Sequence, residues 1–283
     1  SLLRSSLSQP FFNALMDELL AFRVPIEGLH TETGPGVFEA AILYANALEA
    51  ADRATLFKTA VKEIGYRFGI MPSFMAKWNA RLPGCSGHLH QSLWDLGEDR
   101  NLFHDDKDPA RMSTLFKQFL AGQLTLMTDL LPFYAPTVNS YKRLVDGYWA
   151  PTKPNWGIDN RTTACRVIPG DPKSTRMETR VTGSDINPYL AVAAALASGL
   201  YGIEHKLQLK QAPIQGSAYQ DKDTPRFPRT LHEATARLSQ SPIAREIFGN
   251  EFIDHFVQTR TWEWRQFRDA VTDWELQRYF EII

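Results

Sequence analysis

The stretch NSYKRLVDGYWAPTKPNWGIDNRTTACRVIPGDPKSTRMETRVTGSDINPY, Asn139 to Tyr189, decides how the rest of the chain is read. It carries five arginines, Arg143, Arg161, Arg166, Arg176 and Arg180, scattered among Gly, Pro, Asn and Trp. From Lys142 to Arg180 eight lysines and arginines stand against four acids, in a chain whose net charge is −1. A nucleic-acid surface would gather its basic residues in runs or along one helix face. Dispersed guanidinium groups, planar and always charged, instead suit phosphate and carboxylate oxygens. Positions two apart on a strand share a face, which points Glu178 and Arg180 into the same space. An acid able to hold a divalent cation beside an arginine able to hold a phosphoryl oxygen suggests nucleotide chemistry. The plain alternative is a salt-bridged surface sheet.

The rest of the composition is that of an ordinary globular protein: 283 residues, 43% hydrophobic and 22% charged. That length can bury a substantial core in one large domain or two small ones. Near-neutral charge argues against nucleic acid or a membrane surface as partner. Two cysteines, Cys85 and Cys165, make neither a disulfide framework nor a cysteine-rich metal site, so a reducing cytoplasm is the expected setting. The apolar run from Tyr189 to Ile203 is too short to span a bilayer. It reads as a buried helix, capped by Asn187 with Pro188 at its first position.

Working outward, Phe12 to Leu20 follow helical spacing after Pro10, and Pro25 ends that helix. Two strands are predicted around Gly34-Pro35-Gly36. Phe57 to Phe68 mark a second helix, closed by Gly69. Strand-like runs follow at 71–78 (MPSFMAKW) and 86–94 (SGHLHQSLW), then a third helix over roughly Pro109 to Leu131. Residues 208–230 are polar and proline-bearing, a loop. Helices return from Leu231, the last with a capping box of Thr272 and Glu275. Strands adjacent in sequence predict an α+β fold with antiparallel pairing.

Three blocks supply hard ligands. Glu32 and Glu39 lie on the two arms of the Gly-Pro-Gly turn, a pairing that suits Mg2+ or Mn2+. In His88-Leu89-His90-Gln91-Ser92, alternation sets both histidines and the serine on one face, as a metal or catalytic site or as ordinary satisfied histidines. Glu178-Thr179-Arg180 is the third. Neither GxxxxGK[ST] nor GxGxxG occurs, so a nucleotide would not be held in a P-loop or Rossmann turn.

Taken together, SGHLHQSLW, NSYKRLVDGYWAP, DNRTTACRVI, METRVTGSDINPYLAVAAAL and VTDWELQRYFE, in this order, resemble the catalytic domain of the bacterial-type glutamine synthetase family. The resemblance covers nearly everything from Glu27 to Ile283, so residues 1–283 read as one such domain. It implies a curved antiparallel sheet lining the active site with helices around it. It implies ATP as substrate, Mg2+ or Mn2+, glutamate and ammonia or an amine, and a homo-oligomeric whole protein. The family phosphorylates the glutamate γ-carboxylate, and an amine then attacks the acyl phosphate. Carried over by residue, Glu32, Glu39, His88 and Glu178 match metal ligands. Arg143 matches the grip on the substrate α-carboxylate, and Arg161 and Arg166 match the pair that neutralises the transferring phosphoryl group. Arg180 matches the arginine near the γ-carboxyl. His90, Ser92, Lys173 and Arg176 fall at nucleotide-binding positions.

The sequence departs from that pattern in three places. The glutamate of the family's GYEAP motif, which holds ammonium and accepts its proton, is Trp149 here. The usual asparagine-glycine before the metal histidine is Gly84-Cys85, one residue shorter. No Glu-x-Glu occurs, so the ligand strand and the small N-terminal domain are expected to lie outside this chain, leaving it inactive alone. A glutamate–amine ligase favouring an organic amine through Trp149 is the leading function, with ordinary glutamine synthetase beside it. A guanidino-substrate phosphotransferase is disfavoured because neither cysteine sits in a motif resembling that family's. A non-catalytic structural relative, as known among eye-lens members, is disfavoured because it needs none of these charged residues.

Overall fold

The computed structural model describes residues 6–97 and 99–282. Helix α1 (Gln9–Ala21) buries Leu15 and Leu19 at helical spacing, then Arg23 turns the chain at φ 65 into β1 (Ile26–Thr31). Gly36, at φ 73, lets the chain reverse into β2 (Phe38–Ile42), which pairs antiparallel with β1. Helix α2 (Ala47–Arg67) closes where Gly69 adopts φ 67. Leu15, Leu19, Val24, Ile26, Val61 and Ile64 form a small core among these elements.

The larger core belongs to a four-stranded sheet and the helices behind it. Its strands are β3 (Leu89–Gln91), β4 (Trp156–Ile158), β5 (Cys165–Ile168) and β6 (Arg176–Thr179), in the spatial order β3-β6-β5-β4. Strand alternation sends Cys165, Val167 and Met177, all fully buried, toward the helices. It leaves Arg166, Glu178 and His90 on the opposite face. Behind the sheet lie α3 (Thr114–Leu126), the single turns α4 (Leu131–Tyr134) and α5 (Ser140–Arg143), and α6 (Pro188–Glu204). As predicted, the Asn187 side chain caps α6, accepting from Tyr189 and Leu190 N–H. Helices α7 (Leu231–Gln240), α8 (Pro242–Phe248), α9 (Asn250–Asp269) and α10 (Asp273–Tyr279) complete the order. The Thr272–Glu275 capping box opens the last of them. No described helix is long and apolar enough to cross a membrane.

Three sequence expectations need correction. Residues 71–78 form no strand: Pro72 has no N–H, and Asn139 takes the place of a strand partner with its side-chain amide. Its Oδ1 accepts from Lys77 N–H at 2.8 Å, and its Nδ2 donates to Lys77 O at 2.9 Å. The long third helix is shorter, because the Ser113 side chain accepts from Phe116 N–H and starts α3 at Thr114, while Pro132 sits in the first turn of a separate α4. The sheet is mixed rather than wholly antiparallel, since β4 and β5 pair in parallel. Asp159, at φ 48, and the turn closed by the Asn160 side chain on Thr162 bring the chain back in the same direction.

Helices α3 and α6 cross where small residues let the backbones meet. A Cβ on Gly202 would stand 2.1 Å from Gln118 O, and one on Gly122 would stand 2.1 Å from Ser198 O. Gly202→Ala is expected to destabilise the protein by about 1–3 kcal/mol through overpacking, despite the better helix propensity of alanine. Urea unfolding checks this, and an unchanged or higher midpoint would mean that the helices are not in close contact there.

Candidate active site

Register builds the site. Glu178, at the centre of β6, pairs with His90 on β3 and with Arg166 on β5, so three chemically active side chains share one face. Glu178 is 2% exposed and Arg180 3%. The carboxylate is divided among its neighbours. Oε1 accepts from Arg180 Nη1 and lies 3.0 Å from His88 Nδ1 and 3.9 Å from His90 Nε2; Oε2 accepts from Arg166 Nη1 at 3.0 Å. Burial would raise the Glu178 carboxyl, but His88, Arg180 and His90 hold it well below the usual carboxylate range. The predicted shared direction of Glu178 and Arg180 is thus a direct ion pair.

His88 is pushed down to about 4, chiefly by burial. It is therefore neutral near pH 7. With Nδ1 turned to Glu178, its Nε2 is buried without a partner. A neutral imidazole nitrogen 3.0 Å from a buried carboxylate oxygen sets side by side two donors of the kind that hold a divalent ion. Glu39 is raised by partial desolvation and then by the Glu32 carboxyl hydrogen-bonded to it, with the Glu178 charge adding to the effect. Two carboxyls are thus crowded together within electrostatic reach of a third. The donors fit a hard divalent ion in kind. Among the described residues no group of three acids and histidines is already gathered around a point, because guanidinium groups occupy the oxygens of Glu178.

Arg166 is held on its outer side by Asp159, to whose Oδ1 its Nε donates at 2.9 Å. Arg143, 2% exposed, donates to Val181 O (2.9 Å), Arg180 O (3.0 Å) and Ser86 Oγ (2.7 Å). It is lowered to about 10, first by burial and then by Arg180. Among the described residues it meets no carboxylate directly, and it braces the backbone beneath Arg180. Arg176 donates to His90 Nδ1 at 3.1 Å, joining two of the expected nucleotide residues. Ser92 Oγ accepts from Trp94 Nε1. Lys173 is exposed on the β5–β6 turn, and Arg161 is exposed but near enough to lower Arg180 by its charge. Trp149 sits at φ 59, 53% exposed, with its carbonyl 3.5 Å from Arg180 Nη2.

Sequence reasoning missed Asp159, Ser86 and Tyr219. Asp159 and Ser86 sit in the quoted motifs but had no spacing to mark them. Tyr219, in the loop after α6, donates to Ala150 O at 3.2 Å. It lies far from the motifs in sequence and had no signal at all.

Glu178→Gln is expected to destabilise the metal-free protein by about 3–5 kcal/mol, because it leaves buried guanidinium groups without their counter-charge. Unfolding in the presence of a chelator measures this. A loss below about 1 kcal/mol, the range of surface pairs, would mean that solvent already compensates the arginines.

Against known proteins, the model of the glutamine synthetase catalytic domain matches residues 1–279. Type-1 glutamine synthetase 2 of Dictyostelium discoideum is 59% identical over all of this chain, which covers 54% of that protein. The glutamate–isopropylamine ligase of a Pseudomonas species is 40% identical, with 100% of this chain and 62% of that protein covered. The gamma-glutamylethanolamide synthetase of Streptomyces coelicolor is 41% identical, with 99% and 59% covered. A solved structure of a GmaS/ADP complex superposes with a TM-score of 0.88 at 30% identity, over 98% of this chain and 65% of that one. The chain therefore spans between half and two thirds of the length of these relatives. With its mixed sheet, its buried carboxylate–guanidinium cluster and this match, the chain belongs to the glutamine synthetase family, to its catalytic domain.

Proposed function

We propose that the whole protein carrying this chain is an ATP- and divalent-metal-dependent ligase that joins the glutamate γ-carboxylate to an amine, with an organic amine preferred over ammonium. The observation that carries the preference is Trp149, half-exposed beside Arg180 where the family motif has glutamate. Tryptophan cannot ionise, so it offers ammonium neither counter-charge nor base. An alkylamine gains apolar contact and a ring face for its cation. Two relatives support this reading, one named as a ligase of glutamate with isopropylamine and the other as a synthetase of gamma-glutamylethanolamide. Ordinary glutamine synthetase is the second reading, favoured by the 59% identity to a protein so named.

In this scheme a γ-carboxylate oxygen of glutamate attacks the terminal phosphorus of ATP and ADP leaves. The amine nitrogen then attacks the acyl carbon, and phosphate departs. Arg161 and Arg166 face the transferring phosphoryl group, where their charge counts most in the transition state. Arg180 lies by the γ-carboxyl and Arg143, through its remaining donors, by the α-carboxylate. His90, Ser92, Lys173 and Arg176 line the nucleotide. Divalent cations held by Glu32, Glu39, His88 and Glu178 would neutralise phosphate charge. The proton shed by the amine nitrogen passes to the departing phosphate, since Trp149 cannot accept it. A homo-oligomeric whole protein in the cytoplasm belongs to the same reading, and exposed Trp274 and Phe280 offer apolar surface for a further copy.

Two measurements on the full-length protein test this. Each methylene packed on Trp149 is worth about 0.8 kcal/mol, so kcat/KM for ethanolamine or isopropylamine is expected to exceed that for ammonium by about tenfold. Trp149→Glu is expected to move it back toward ammonium. Better use of ammonium by the wild type would establish the second reading. Arg161→Ala and Arg166→Ala are each expected to lower kcat by about 100-fold or more with little change in glutamate KM. A raised KM at unchanged kcat would assign them to binding instead.

A further inference from the structure

The loop after α6 does more than connect. Its hydrogen bonds go to two segments of the site. The Asn160 side chain donates to Ile214 O (3.2 Å) and Gly216 O (2.8 Å), and Ala218 N–H donates to Thr162 Oγ1 at 2.8 Å. Asn160 and Thr162 bracket Arg161. Further anchors run from the Trp156 indole to Gln211 O (2.8 Å), from Ile214 N–H to Trp156 O (2.8 Å), and from Asn155 Nδ2 to Asp221 Oδ2 (3.0 Å). Between these anchors Tyr219 donates its hydroxyl to Ala150 O. Residues 211–221 are thus a strap tied at one side to the Arg161 turn and at the other to the residue after Trp149.

The second tie matters because of the backbone it meets. Trp149 holds a left-handed φ of 59 without glycine's freedom, so surrounding contacts must keep it there. Its own carbonyl points at Arg180, and the next carbonyl along is taken by Tyr219. Two adjacent carbonyls held by side chains from different parts of the chain fix the peptide plane between them. That plane sets where the indole stands. Burial, the largest effect on the Tyr219 phenol, raises it, so it stays protonated and able to donate across the assay range.

We propose that Tyr219 is a positioning residue: through the strap it holds the Trp149 turn and the Arg161 turn in one register, so that the acceptor end and the phosphoryl end of the site are set together. This rests on the ligase reading above, with Trp149 at the acceptor end. An organic amine depends on the indole and ammonium does not, so loss of the hydroxyl acts mainly on the organic acceptor.

The test uses full-length Tyr219→Phe, with ethanolamine, isopropylamine and ammonium as acceptors. Misplacement on the ångström scale costs large factors in rate, so kcat with the organic amines is expected to fall about tenfold. The fall with ammonium is expected to be under about threefold, with glutamate and ATP KM within about twofold. Hydrogen exchange is expected to speed up in peptides covering 146–152 while the melting temperature holds. An unchanged acceptor ratio with unchanged exchange overturns the proposal, as does an equal fall for every acceptor with a lowered melting temperature. If the wild type prefers ammonium, the organic-amine reading fails by itself. Tyr219 is then judged by exchange at 146–152 and by kcat with ammonium: a change in both supports positioning, and no change in either overturns it. Asn160→Ala tests the coupling separately. Faster exchange at 146–152 as well as at 158–163 supports one register, and exchange confined to 158–163 overturns it.

Discussion

Everything about the site turns on one carboxylate taken out of water. Glu178 is buried with Arg180 against it, Arg166 on its other oxygen and His88 beneath. Charges this deep cost several kcal/mol each to desolvate, and only mutual pairing offsets the cost. The pairing in turn requires β3, β5 and β6 to be in register, since a slip of one residue would carry Glu178 into the hydrocarbon core. The cluster remains unbalanced. Arg143, buried on carbonyls and Ser86, and Arg161, exposed without an acid partner among the described residues, add positive charge that Glu178 and Asp159 do not match. Guanidinium groups fixed in this way are preorganised for an anion whose charge grows during reaction.

The sheet keeps its register because its other face is pinned as firmly as the first. Gln123, wholly buried on α3, accepts from Thr179 Oγ1 at 2.8 Å and donates to Gln91 Oε1 at 3.1 Å and Ala195 O at 2.9 Å. That network joins β3, β6, α3 and α6, and buried polar groups of this kind are stable only when every member is satisfied. The glycine crossing of α3 and α6 brings the backbones close enough for it to form. The site is thus precise because the helices behind it are.

The departures from the family pattern gather at one end of this arrangement. Cys85, in place of the usual glycine, lies near Glu32 and Arg143, and burial raises its thiol. Trp149 replaces the glutamate of the GYEAP motif. Gly84 lacks the amide of the family's asparagine and Trp149 lacks the carboxylate of its glutamate, while the carboxylate–arginine cluster keeps its full set. On the ligase reading proposed above, the arginines and acids assigned to the phosphoryl end are all present, and the change falls on the residue assigned to the acceptor end.

Much of this was already written in the sequence. Period-2 alternation in RMETR set Glu178 with Arg180 and in HLHQS set His88 with His90, and caps such as Asn187 and Thr272 fixed helix starts, because these depend on neighbours a few residues away. The residues proposed for metal and phosphate came from the resemblance alone. What the sequence could not reveal was partnership at long range. Asn139 standing in for a strand opposite Lys77, Asp159 steadying Arg166 across a left-handed turn, and the strap that brings Tyr219 to Ala150 follow no local period. The parallel pairing of β4 and β5 likewise came from how one turn closes. Local chemistry chose which residues could act, and only the packing of distant backbone decided which of them meet.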